Sequence, residues 1–162
     1  LFVVEIPFQR STKLRQNDCL PFTPQLDQRS ILLVEDNLTN QLVIAKILKR
    51  YGADVTLAAN GEQALRACEK RRQQDQRFDL VLMDWHMPVM DGLKTTAILR
   101  EDPFYENMAI VGLTASVMAE DRQSCLLVGM DEVITKPIDR RKLLSCIQPL
   151  LPPLLSDQAQ AG

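Results

Sequence analysis

Five side chains with chemistry to offer each follow a short apolar run in this sequence. Glu35 and Asp36 follow ILLV, Asp84 follows LVLM, Thr114 follows IVGL, and Lys136 follows VIT. Singly they are weak signals, because an acid ending such a run is more often a helix cap or a solvated turn residue. As a set, three carboxylates, one hydroxyl and one amine have a definite chemistry. Crowded carboxylates raise one another's pKa, and a divalent cation removes that cost. Oxygen-only ligands with open positions favour Mg2+, which keeps several waters and bridges readily to phosphate. Asp36 and Asp84 are the expected direct ligands, with Glu35 acting through water and a backbone carbonyl in the loop at His86 as a third ligand. A carboxylate placed there can attack a phosphoryl group in line and become an aspartyl phosphate. Asp84 is the expected nucleophile. Lys136 would offset charge on the transferring group, and the Thr114 hydroxyl would hydrogen-bond one of its oxygens.

These residues can meet only if the runs before them are neighbouring strands. The strand LVLM is followed by Pro88, Asp91 and Gly92, which break it and turn the chain towards a helix. The same alternation recurs from Ser30 onwards. Strands are expected at Ile31 to Val34, Asp54 to Ala58, Leu80 to Met83, Ala109 to Leu113 and Glu132 to Thr135. Between them, Ile44, Ile47, Leu48 and Tyr51 fall at helical spacing, capped by Asn37 or Thr39 and ended by Gly52. A helix opens at Asn60-Gly61, another runs from about Leu93 to Arg100, Ser116 is expected to cap a fourth running to Val128, and Asp139 caps the last. Strict alternation with right-handed crossovers gives an α/β fold: a five-stranded parallel sheet, doubly wound, with helices on both faces. Its strands read as too apolar to face water. The expected core is Ile31, Leu33, Val81, Met83, Ile110, Val111 and Ile134, with Ile47, Leu65 and Leu144 from the helices. In such a sheet all strand ends share one edge, where ligands bind.

Bulk properties exclude several classes. The 162 residues are 46% hydrophobic and 25% charged, as in a globular domain, with net charge −2. Nothing in that charge argues for nucleic acid; the basic stretch from Arg66 to Arg77 is interleaved with Glu, Gln and Asp and reads as a solvated helix face. No apolar run is long enough to span a bilayer, so no membrane contact by this stretch is expected. Four separated cysteines and a single histidine, His86, make a zinc site untenable and fit reduced thiols in the cytoplasm.

Together, LLVEDN, LMDWHMPVMDG, GLTAS and ITKPID resemble the receiver domain of two-component response regulators, over about Ser30 to Leu150. The resemblance implies a flavodoxin-like fold. It makes Asp84 the phosphoacceptor, Glu35 and Asp36 the acidic pair that binds Mg2+, Thr114 the switch hydroxyl and Lys136 the family's lysine. It implies a phosphohistidine donor outside this stretch, a histidine kinase or a histidine phosphotransfer domain, and leaves a homodimer open. His86 resembles a variable loop position, not a donor. One position departs from the pattern: three before the lysine, where receivers that couple hydroxyl movement to ring rotation carry an aromatic, stands Val133.

The opening LFVVEIPF is similar to the last strand of a histidine kinase's ATP-binding domain. With Leu1 in place of Met, this suggests residues 1–10 as the end of such a domain, 11–29 as a linker, 30–150 as the receiver and 151–162 as a flexible tail. The whole is then expected to be the C-terminal receiver of a hybrid sensor kinase, cytoplasmic, its parent anchored in the inner membrane. The alternatives are a stand-alone or differently fused regulator, or an interaction domain independent of phosphorylation. An aspartyl-nucleophile hydrolase would carry a second acid two residues after Asp84, where this chain has His86.

Overall fold

The computed structural model describes residues 26–152; the expectations for residues 1–25 and 153–162 lie outside it. The chain alternates as the apolar runs require. It runs β1 (Ser30–Val34), α1 (Leu38–Arg50), β2 (Asp54–Ala58), α2 (Gly61–Arg72), β3 (Leu80–Asp84), α3 (Gly92–Glu101), β4 (Ala109–Thr114), α4 (Ala119–Leu127), β5 (Glu132–Thr135) and α5 (Arg140–Ile147). The sheet is parallel throughout, in the order β2-β1-β3-β4-β5. Sequence order reverses between β1 and β3, so the crevice for a ligand lies beyond the carboxyl ends of those two strands.

Strand alternation sorts the core into two layers. Leu32, Val34, Val81, Met83 and Ile110 face α2, α3 and α4 and pack with Ala64, Cys68, Leu99 and Cys125. Ile31, Leu33, Leu80, Leu82, Val111, Leu113 and Ile134 face α1 and α5 and pack with Ile44, Leu48, Leu143 and Ile147. The seven core residues expected on the strands are all buried, whereas Ile47 and Leu65 are only partly so. The strand β2 departs from the expectation of full burial. It is an edge strand, with Asp54 exposed and Leu57 42% exposed, because only one neighbour covers it.

The local signals resolve at the helix ends. Asn37 caps α1 by accepting from the main-chain N–H groups of Thr39 and Asn40, and Asp91 and Asp139 cap α3 and α5 in the same way. Gly52 (φ +92°) and Gly129 (φ +106°) follow α1 and α4 in the left-handed conformation that ends a helix. Ser116 does not cap α4. The N-cap position is Met118, which has no side-chain cap bond, and the Ser116 hydroxyl accepts from the Met118 N–H ahead of the helix. Leu26 and Arg29 are buried. Leu26 donates its N–H to the Tyr51 carbonyl, and Arg29 pairs with Asp79 at 3.3 Å and donates to the Pro152 carbonyl.

Candidate active site

The site grows from the ends of β1, β3 and β5. Register pairs Val34 with Met83, which brings Glu35, one residue on, beside Asp84. Asp84 shares the sheet face of Leu80 and Leu82, and Lys136 continues the face of Ile134, so all three side chains rise on the α1/α5 side. Lys136 Nζ lies 2.9 Å from Asp84 Oδ2 and 2.9 Å from Glu35 Oε2. Contacts across 52 residues of sequence are thus closed by one ammonium group. Its main chain is fixed as well: the Lys136 N–H donates to the Thr114 carbonyl at 2.7 Å.

The cluster holds more negative charge than its one ammonium can match. Glu35 is fully buried, and its Oε1 accepts from the Asn37 N–H and Asn40 Nδ2, both at 3.3 Å. Its Oε2 faces Lys136 Nζ at 2.9 Å in an ion pair and has no further donor. Two buried carboxylates, with Asp36 beside them, thus share one ammonium, an imbalance of charge that a further cation would relieve. Glu35, Asp36 and Asp84 each offer an oxygen within 4.8 Å of the others, which is a donor set for a hard divalent ion. The residues present therefore fit Mg2+. The His86 side chain is not in that set; it is exposed and stacks on Trp85 at 4.7 Å between ring centroids.

Electrostatics follow the same geometry. Burial chiefly, with Glu35 and Asp36 adding repulsion, pushes the Asp84 carboxyl up to about 6 against the pull of Lys136. Burial opposes the Lys136 charge, yet its bonds to Glu35 and Asp84 outweigh that and raise its pKa. The two rise for different reasons: burial disfavours the Asp84 charge, whereas Lys136 is well supplied with counter-charge by the two carboxylates it bridges.

Thr114 is buried at the end of β4, one residue beyond Leu113, the register partner of Asp84. It shares the opposite sheet face, that of Ile110, and its Oγ1 accepts from the Ser116 N–H at 3.1 Å. The structure thus brings together Glu35, Asp36, Asp84 and Lys136 directly and places Thr114 at the same edge without a contact to Asp84 among the described residues. Val133 packs in the core with Cys125 and Met130. Sequence reasoning missed two supports. Gly92 lies against the main chain of Asp84, where an added Cβ would meet the Asp84 carbonyl oxygen at 2.2 Å. Gln41, buried on α1, donates to the Glu35 and Ala58 carbonyls. The glycine could have been found from its place at a helix start beside a functional acid; the amide gives no sequence signal beyond a polar residue on an apolar face.

Comparison with known proteins agrees. Residues 31–148 match the family model described as the response regulator receiver domain. Sensor protein GacS of Pseudomonas syringae pv. syringae is 39% identical over 129 residues, which are 76% of this chain and 14% of that protein. The receiver domain of sensor histidine kinase PA1611 from Pseudomonas aeruginosa PAO1, solved with a magnesium ion coordinated in its active site cleft, is 40% identical. It superposes with a TM-score of 0.68, covering 75% of this chain and 96% of that one. The receiver domain of the response regulator Ssk1, solved with the Saccharomyces cerevisiae histidine phosphotransfer signaling protein Ypd1, is 26% identical, with a TM-score of 0.65 over 76% of this chain and 92% of that one. The chain spans only 5% to 16% of the length of the curated histidine kinases it matches. With its sheet order, its acid cluster and these matches in agreement, the chain belongs to the response regulator receiver domain family.

Proposed function

We propose that Asp84 is the phosphoacceptor of this receiver and that Glu35, Asp36 and Asp84, with the main-chain carbonyl at His86, hold its Mg2+. The observation that carries the reading is the Lys136 ammonium bridging Asp84 and Glu35 at 2.9 Å to each. When bound, the cation neutralises the carboxylates and the equatorial oxygens of the transferring phosphoryl group. The chain does the rest. Asp84 Oδ2 is occupied by Lys136, and no described donor bonds Oδ1, so Oδ1 is the attacking oxygen. Its attack forms an O–P bond as the donor's N–P bond breaks, and the leaving imidazole carries away the electron pair. Lys136 then pairs with the new phosphoryl group. The Thr114 hydroxyl, which accepts from Ser116 before phosphorylation, turns its proton to a phosphoryl oxygen. An added charge of roughly −1.5 to −2 thereby draws on the loops after β4 and β5 and biases the α4 side of the domain.

The donor is a phosphohistidine of a histidine kinase or a phosphotransfer protein. An apolar surface beside the site suits such a partner: Leu38, Leu42 and Val43 of α1 are 70%, 66% and 49% exposed, and Val43 borders a groove that Lys136 and Pro137 also line. The parent is a hybrid sensor kinase, with residues 1–10 ending its ATP-binding domain and 11–29 linking it to the receiver, onto which Leu26 and Arg29 at the end of that stretch are packed. That reading is supported by the histidine kinases among the relatives. We place the domain in the cytoplasm. Cys68, Cys125 and Cys146 are free thiols, as suits a reducing compartment, and no described helix is long and apolar enough to cross a membrane.

The test is phosphorylation by acetyl phosphate with Mg2+, read by intact mass. Wild type should gain one hydroxylamine-labile phosphoryl group, and Asp84→Asn none. Equal labelling of both proteins would remove Asp84 from its role.

A further inference from the structure

Glu35 is held from three directions by the first turns of α1. Its Oε1 accepts from the Asn37 N–H and from Asn40 Nδ2, and its main-chain carbonyl accepts from Gln41 Nε2 at 3.1 Å. The same Gln41 amide donates to the Ala58 carbonyl at 3.2 Å, tying the ends of β1 and β2 together at the level of the acids. Gln41 is only 6% exposed and lies on the face of α1 that also buries Ile44, Ala45 and Leu48. A buried amide is unfavourable there unless bonded, and its two bonds are both to strand-end carbonyls. Asn40 plays the complementary part on the side chain. By engaging Oε1 it stops the carboxylate from turning, which leaves Oε2 directed into the acid cluster beside Lys136.

We propose that Asn40 and Gln41 are positioning residues that set the affinity of this site for Mg2+, Asn40 by fixing the Glu35 carboxylate and Gln41 by fixing the main chain that carries it. Groups that orient metal ligands are worth about 10- to 100-fold in affinity. Neither residue touches the reacting atoms, so each acts on the cation's occupancy and not on the transfer itself. The inference rests on the reading of Glu35, Asp36 and Asp84 as the magnesium site.

The test uses Asn40→Leu and Gln41→Met, which keep size and remove the donor, with Thr39→Ala, exposed on the same helix, as control. Binding of Mg2+ alone is followed by the fluorescence of Trp85, the single tryptophan. Both variants should weaken Mg2+ binding by about tenfold or more, with Thr39→Ala unchanged. Phosphorylation by acetyl phosphate, titrated with Mg2+, should show the same shift in half-saturating Mg2+ and a rate at saturation within about twofold of wild type. Variants that bind Mg2+ as wild type does, or that lose the saturated rate as well, overturn the proposal. Should Gln41→Met fail to fold, the half-exposed Asn40→Leu decides it on the same terms. A wild-type protein that binds no Mg2+ overturns instead the assignment of the site on which the proposal rests.

Discussion

Removing the charge of Asp84 should stabilise the metal-free protein. The carboxyl is 4% exposed, and its pKa is pushed from 3.8 up to about 6, by burial first and by Glu35 and Asp36 besides. Each pKa unit is about 1.4 kcal/mol, so ionised Asp84 costs the fold up to about 3 kcal/mol at neutral pH. A raised acid pKa gives stability that is fully present below about 3.8 and lost as pH rises through about 6. Asp84→Asn keeps the shape and an acceptor for Lys136 while removing the penalty. In EDTA at pH 7.5 the variant should therefore be more stable by about 1–3 kcal/mol, a rise in Tm of roughly 5–15 °C for a domain of this size. The gap should shrink by about half at pH 5 and close near pH 4. Urea unfolding followed by circular dichroism at the three pH values measures it, and the difference between the two proteins cancels the other titrating groups. Mg2+ at about a thousandfold excess over Kd should reverse the order, since it stabilises wild type by about 4.1 kcal/mol and finds a weaker site in the variant. An Asp84→Asn protein less stable than wild type at pH 7.5 in EDTA, or a gap that does not depend on pH, refutes the account of the site as a store of repulsion.

Three further outcomes are expected. Gly92→Ala should lose at least about 2 kcal/mol in urea unfolding and slow phosphoryl uptake, because its Cβ would lie 2.2 Å from the Asp84 carbonyl oxygen and force the loop outward; unchanged uptake would mean the loop moves without Asp84. His86→Ala should change the lifetime of the phosphorylated protein by about twofold to tenfold, since His86 stands exposed two residues after Asp84 and stacks on Trp85; identical rates of phosphate loss would leave His86 no part. Cys68, whose pKa burial pushes up to about 12, should resist iodoacetamide at pH 8.5 until the protein is unfolded in urea, as read by peptide mass; rapid labelling of the native protein would contradict its place in the core.

The elements that carried the site were the easiest to read. Buried parallel strands need unbroken apolar runs, so ILLV and LVLM announced themselves, and the acids after them inherited a known position. What failed was whatever depended on neighbours. The strand β2 is half exposed because it lies at the sheet edge, which no property of DVTLA declares. Ser116 has the chemistry of a cap, but its hydroxyl is used one step early and α4 starts uncapped at Ala119. The complete burial of Glu35 and its hold by Asn40 and Gln41 come from α1 folding back over the strand ends, which the residues around Glu35 do not declare. Leu26 and Arg29 sit in a stretch whose composition reads as linker, and become buried only through contacts to Tyr51, Asp79 and Pro152.

The site also explains why the acids lie on strands and not on helix ends. A helix N-terminus stabilises a carboxylate and lowers its pKa, as at Asp139, where main-chain N–H bonds from α5 hold the acid below its usual range. Such an acid is satisfied and has no need of a cation. Asp84 is placed oppositely. It ends a strand buried on both faces, with Glu35 and Asp36 beside it and one shared ammonium, and its pKa goes up. The apolar sheet makes the repulsion persist, because the strands cannot part to let water in without exposing Leu82, Val34 and Leu113. Packing energy from the whole domain thus maintains a local deficit of positive charge at one edge. That deficit is what the proposed Mg2+ would relieve, and Lys136 would then be free to pair with a phosphoryl group on Asp84.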